Sequence, residues 1–152
     1  MADFSMSRST TINAPSDRIH SHLDDFHEWP QWSPWEGLDP DMERTYTGPE
    51  KGVGSHYAWA GNKKAGEGTM EITGSTPSRI EIALGFLKPF KASNVTVFEL
   101  APAGAGATRV TWHMTGRRNP IMAIAGKLFF DKAIAKDFDR GLARLKTVSE
   151  AR

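Results

Sequence analysis

The chain has 152 residues, 19 Lys plus Arg against 18 Asp plus Glu, a formal net charge of +1 and no cysteine. Balanced charge supplies no field that would draw it to nucleic acid or acidic lipid. The missing thiols exclude a disulfide scaffold, a thiolate metal site and a thiol nucleophile. The length suits one domain, 1–152, with a real core. Residues 1–8 hold no apolar run of signal-peptide length, and the most apolar stretch, 120–130, contains Lys127 and is too short to span a bilayer. A soluble, cytoplasmic chain without membrane insertion is expected.

In chain order, Phe4 to Ile12 places Phe4, Met6, Thr10 and Ile12 on one parity and reads as a strand. Ala14-Pro15-Ser16 ends it and starts a short helix through Leu23. Next comes Trp29-Pro30-Gln31-Trp32-Ser33-Pro34-Trp35, three of the five tryptophans within seven residues. Its two prolines exclude a regular helix or a central strand. Apolar surface is costly to leave in water, at ~25 cal/mol per Å², so this loop folds back onto something apolar. It either plugs one end of a core or walls an apolar cavity, and both readings remain open.

Val53, Ser55, Tyr57 and Trp59 share one parity, Gly61 to Lys64 is a turn, and Glu67 to Thr76 carries Met70 and Ile72 on one face. Ser78 to Leu87 alternates most clearly, with Ile80, Ile82, Leu84 and Phe86 opposite Arg79, Glu81, Ala83 and Gly85. Lys88-Pro89 turns the chain. In Phe90 to Leu100, Val95 and Val97 compete with Phe98 and Leu100 for the inner face; a bulge would reconcile them. After a hairpin loop at Pro102 to Gly106, Thr108, Val110, Trp112 and Met114 alternate against Arg109, Thr111, His113 and Thr115.

The period then changes. Asn119 and Pro120 suit a helix start. Ile121, Ile124, Leu128, Asp131, Ala135, Phe138, Leu142 and Leu145 recur at spacings of three and four. A helix of ~30 residues is ~45 Å long. Together these elements predict an α+β fold in which a long C-terminal helix covers a curved antiparallel sheet of six to seven strands, with short helices after the first strand.

Little in the chain resembles a catalytic motif. His20 and His22, two apart on a helix, point in different directions and make a poor metal pair. His27 suits a surface or capping role, and His56 and His113 suit exposed or cross-strand roles, so no metal site is expected. The glycines at 48–54 and 104–106 lack a phosphate-loop pattern. Asp131 is the odd member of the helical stripe. Either the helix is turned to leave it wet, or it is a polar handle facing the sheet, paired with Arg8 and able to act as a general acid or base. Tyr57 offers a further hydroxyl.

This order of elements resembles the START-like (SRPBCC) superfamily, within it the polyketide cyclase/dehydrase and lipid-transport group. The resemblance rests on Ile12-Asn13-Ala14-Pro15, the Trp29 to Trp35 loop and Gly52-Val53-Gly54 before Tyr57-Ala58-Trp59. It extends to Val95 to Leu100 leading into Thr108 to Trp112, and to Lys136 to Lys146 on the last helix. It implies a helix-grip fold with an internal cavity between sheet and C-terminal helix. Such a cavity takes a small hydrophobic or amphipathic partner such as a lipid, polyketide or quinone, with no cofactor. Its expected lining is Trp32, Trp35, Tyr57 and Trp59 near the loop side. Ile82, Leu84, Phe86, Trp112 and Met114 would line it from the sheet, and Leu128 and Asp131 from the helix. Two alternatives follow from the same resemblance: a polyketide cyclase or dehydratase using Asp131, and a protein-interaction domain with a filled cavity.

Overall fold

The computed structural model describes residues 3–34, 41–62, 66–88, 92–117 and 120–151, with backbone alone at 3, 4, 88, 92, 117 and 120–134. Strand β1 (Asp3–Ile12) leads into α1 (Ser16–Leu23) and a 3-10 helix (Phe26–Gln31). Strands β2 (Glu43–Thr47), β3 (His56–Ala60), β4 (Glu67–Thr76), β5 (Arg79–Lys88), β6 (Ala92–Pro102) and β7 (Thr108–Arg117) follow, and α2 (Pro120–Glu150) closes the chain. All pairings are antiparallel in the order β1-β7-β6-β5-β4-β3-β2, so the first strand returns beside the last.

The alternation read from sequence sets the faces. Ile80, Ile82, Leu84, Val110, Trp112 and Met114 are buried, while Arg79 and Arg109 are exposed and Glu81 and Thr111 partly so. On β6 the inner face belongs to Thr96, Phe98 and Leu100, and Val95 is 42% exposed. The pairings of β6 with β5 and β7 run without a register shift, so no bulge intervenes and the even-numbered parity takes the inner face. Val53 lies in the turn before β3 and is 57% exposed, contrary to its place in the expected strand. The regular strand starts only at His56: Gly54 and Ser55 still exchange backbone hydrogen bonds with Ile72 of β4, but the loop before them is held by other partners. Gly52 N–H donates to the Asp24 carbonyl at 2.9 Å and the Ser55 hydroxyl to the Pro49 carbonyl at 2.8 Å.

The Trp-rich segment is partly regular. Asp25 caps the 3-10 helix by accepting from His27 N–H, and Pro30 sits inside it. A six-residue 3-10 turn has few internal bonds to lose, so one missing donor is tolerated. Trp29 and Trp32 then turn inward. Their indole N–H groups donate to the carbonyls of Leu23 at 3.1 Å and His22 at 2.9 Å, which satisfies the polar edge of each buried ring.

The C-terminal half of α2 lies against β1 and α1. Phe138, Leu142 and Leu145 are fully buried, continuing the helical stripe into the core. Gly141 permits the close approach: a side-chain carbon there would stand 2.9 Å from Pro34 Cδ and 3.0 Å from the Trp112 ring. Arg140 and Arg144 of the same helix donate to the carbonyls of Pro34 and Ser33 at 2.9 and 3.0 Å. Helix and Trp segment are thereby fastened at one end of the sheet. Among the described residues, no helix is long and apolar enough to cross a membrane.

Candidate functional site

The inner face of the sheet has two differently built ends. At the end fastened by α2, aromatic rings fill the space. Trp112 stacks on Phe138 with centroids 4.0 Å apart and 3° between planes. Trp32 meets Trp112 and Phe98 edge-on at 5.7 and 5.8 Å, and Trp29 packs on Trp32 at 4.5 Å. Offset and edge-on pairs of this kind add ~0.5–1.5 kcal/mol each beyond the area they bury. A residue bordering a void wide enough for water retains accessible surface. Trp32, Trp112 and Ile82 retain 1% or less. All three are enclosed by their neighbours in this structure, with Trp32 covering this end of the inner face.

At the other end the inner residues are still aromatic but incompletely covered. Tyr57 of β3 contacts Phe26 at 5.9 Å, Tyr46 at 5.2 Å and Trp59 at 6.0 Å. Trp59 meets Phe86 of β5 edge-on at 5.9 Å. The two rings meet across β4 because Gly68 lies between them: a side-chain carbon there would collide with the Trp59 ring and the Gly85 carbonyl. Leu84, Met70 and Met114 are buried beside this group, and Met6, Tyr46, Trp59 and Phe86 are partly exposed. The structure thus brings Tyr57, Trp59, Leu84, Phe86 and Met114 onto one inner surface. Of the other candidates, Trp35 and the side chains of Leu128 and Asp131 lie outside the described residues.

The polar groups are placed as follows. Arg8, considered as a partner of Asp131, instead forms a two-pronged pair with Asp139, about two helical turns further on, at 2.8 and 2.6 Å. Asp139 raises the Arg8 pKa, first by accepting its hydrogen bonds and then by its charge. Both side chains are about half exposed, so the pair marks the seam between β1 and α2 at the surface and contributes modestly. His113 bridges strands on the outer face, 2.6 Å from the Ser7 hydroxyl and 2.6 Å from Glu99. His20 lies 3.5 Å from Asp24, His22 3.2 Å from Glu28, and His27 2.8 Å from Asp25 with its ring stacked on Tyr46. No group of three potential metal ligands occurs among the described residues. A separate half-open cleft of about 260 Å³ lies where Phe26, His27 and Tyr46 meet the loop residues Glu50 and Ser55 and His56 of β3.

Sequence reasoning missed two inner positions on β6. Asn94 is in register with inward Leu84, and Thr96 with inward Ile82, so both side chains point to the inner face. Val95 and Val97 drew attention away from them, since apolar residues ordinarily take the buried parity.

The sequence profile of the family described as polyketide cyclase / dehydrase and lipid transport matches residues 3–150. The chain belongs to this family. Solved structures agree on the fold. Protein CV1439 from Chromobacterium violaceum is 16% identical, with 97% of this chain and 98% of that chain covered and a TM-score of 0.68. Mll3558 from Rhizobium loti is 17% identical over 94% and 97%, with a TM-score of 0.68. The di-domain ARO/CYC BexL of the BE-7585A biosynthetic pathway is 15% identical over 99% of this chain and 51% of its own, with a TM-score of 0.72. No curated protein matches the chain. At these identities the likeness extends to the helix-grip fold alone.

Proposed function

We propose that the chain is a single domain that binds a small hydrophobic or amphipathic molecule between the inner face of the sheet and α2. One observation carries this reading: Trp59 and Phe86 point inward yet are only partly buried, on a surface continued by Tyr57, Leu84 and Met114. Large rings on the concave side of a sheet are normally sealed by the core; rings left open there favour an apolar occupant. A ligand burying ~400 Å² of apolar surface gains ~10 kcal/mol gross. Association costs ~4–15 kcal/mol, so the net gain is at most ~6 kcal/mol and binding no tighter than tens of micromolar is the scale to expect. Among the described residues, the inward positions of β3 to β7 hold no carboxylate and no histidine, and the polar side chains near the open end are Tyr57, Asn94 and Thr96. A cyclase-type reaction would need its acid–base group from elsewhere, with Asp131 the candidate.

Native mass spectrometry of freshly purified protein, with tryptophan-emission titrations of a fatty acid, a sterol, a quinone and an aromatic polyketide, tests the reading. A copurified small molecule or a saturable emission change, lost in Trp59→Ala, is expected. Neither signal with any of these ligands would overturn it.

A further inference from the structure

The N-terminal half of β6 inverts the usual rule for a half-buried strand. Its inner positions are Asn94 and Thr96, and its outer ones Val95 and Val97. Thr96 is 3% exposed, and its hydroxyl has no hydrogen-bond partner among the described residues. Ser149 shares that condition, but it lies on the last turn of α2 and off the sheet. A buried hydroxyl without a partner loses its water without compensation, and valine would have the same shape on a strand that favours it. Its neighbours across the register are Met114 on one side and Ile82 on the other, and Met6 follows Met114 in the same row. Asn94 is the next inward position along the strand, in register with Leu84 and with Gly116. Methionine side chains repack readily around an incoming group.

We infer that Thr96, with Asn94 beside it, reads an oxygen substituent on the bound molecule, so that the site selects an apolar ligand bearing a hydroxyl or carbonyl over its purely hydrocarbon counterpart. This rests on the binding reading above and deepens it. The threonine hydroxyl both donates and accepts, and the asparagine amide offers a donor and an acceptor, so either oxygen type can be paired. A ligand group seated against this row displaces a flexible thioether and gives Thr96 the partner that the unliganded protein lacks. Pairing a hydroxyl that was already buried and dry adds to affinity without a further desolvation cost on the protein side, which is how a mostly apolar site discriminates.

The test is isothermal titration calorimetry with 2-naphthol and 2-methylnaphthalene, which differ by a hydroxyl in place of a methyl group. The wild-type protein should prefer 2-naphthol. Thr96→Val should weaken 2-naphthol about three- to tenfold, the scale of one hydrogen bond, and leave 2-methylnaphthalene unchanged or tighter. Its thermal midpoint should be equal to or above wild type, an opposition of stability and affinity that a merely structural threonine would not produce. Thr96→Ser, which keeps the hydroxyl, should retain the preference. If the wild type binds both compounds equally, or if Thr96→Val weakens both alike, the inference is overturned while the binding reading stands. If the wild type binds neither, both fall for aromatic ligands.

Discussion

Trp112 shows how much one side chain carries in this fold. It is 1% exposed, in face-to-face contact with Phe138 of α2 and edge contact with Trp32. Sheet, helix and Trp segment therefore meet on one ring. Trp112→Ala removes a fully enclosed aromatic, and its cavity cannot collapse between a strand and a helix fixed by other contacts. Chemical denaturation should show a loss of ~3–5 kcal/mol, the range for such truncations. A loss under ~1 kcal/mol would mean that the ring borders open space. The place of Trp112 was legible in the sequence, because Val110, Trp112 and Met114 share a parity that Arg109 and His113 oppose. Asn94 and Thr96 were not legible. Polar residues on the inner parity contradict the hydropathy rule from which parity is read, and only the register with Ile82 and Leu84 reveals them. Local rules fail most informatively at such positions.

At the scale of elements, strands with one wet face and the long helix could be read directly, since their periods of two and 3.6 persist over many residues. Short elements fared worse. In β2, Glu-Arg-Thr-Tyr-Thr offers a single large apolar side chain, and its pairing with β3 is visible only in space. The anchoring of α2 was equally hidden, because it joins residues far apart in sequence. The Glu150 carboxylate accepts from the Asn13 backbone N–H at 2.9 Å and from the Lys146 ammonium, and Arg18 donates to the Ser149 carbonyl at 3.2 Å. Lys146 first, then the Asn13 N–H, hold the Glu150 pKa below the ordinary glutamate value of 4.5, against the opposing effect of burial. A carboxylate with a depressed folded-state pKa stabilises the fold above its unfolded pKa, and that contribution is lost as pH falls through the folded value. Glu150→Gln should therefore be less stable than wild type near neutral pH. The two denaturation midpoints should converge as pH drops below about 4.5. A difference that stays constant down to acid would show that the carboxylate is not an anchor. The Glu150 and Lys146 side chains are both partly exposed, so the effect is expected to be small.

Across the whole molecule, the two edges of the sheet are treated differently. β1 is a long, well-held edge: β7 pairs with it over ten residues, α2 packs on it, and its Asn13 corner is tied to Glu150. β2, the opposite edge, is five residues long, paired among the described residues only with β3, and mostly exposed. Short, charged edge strands resist pairing with other chains, and Glu43 and Arg44 fit that pattern. The same economy leaves β2 weakly held, beside the end of the inner face where Trp59 and Phe86 remain open. Native-state hydrogen exchange should separate the two edges. Backbone amides of β6 and β7, enclosed on both sides by paired strands, should exchange only by global unfolding. Those of Arg44 to Thr47 engaged with β3 should exchange through local opening at far lower free energy. A saturating apolar ligand should slow exchange in β2 and β3 first, because the bound molecule adds cover where the protein supplies least. If β2 exchanges as slowly as β6 without ligand, the open end is as tightly built as the packed one, and entry of a ligand there would require the whole sheet to open.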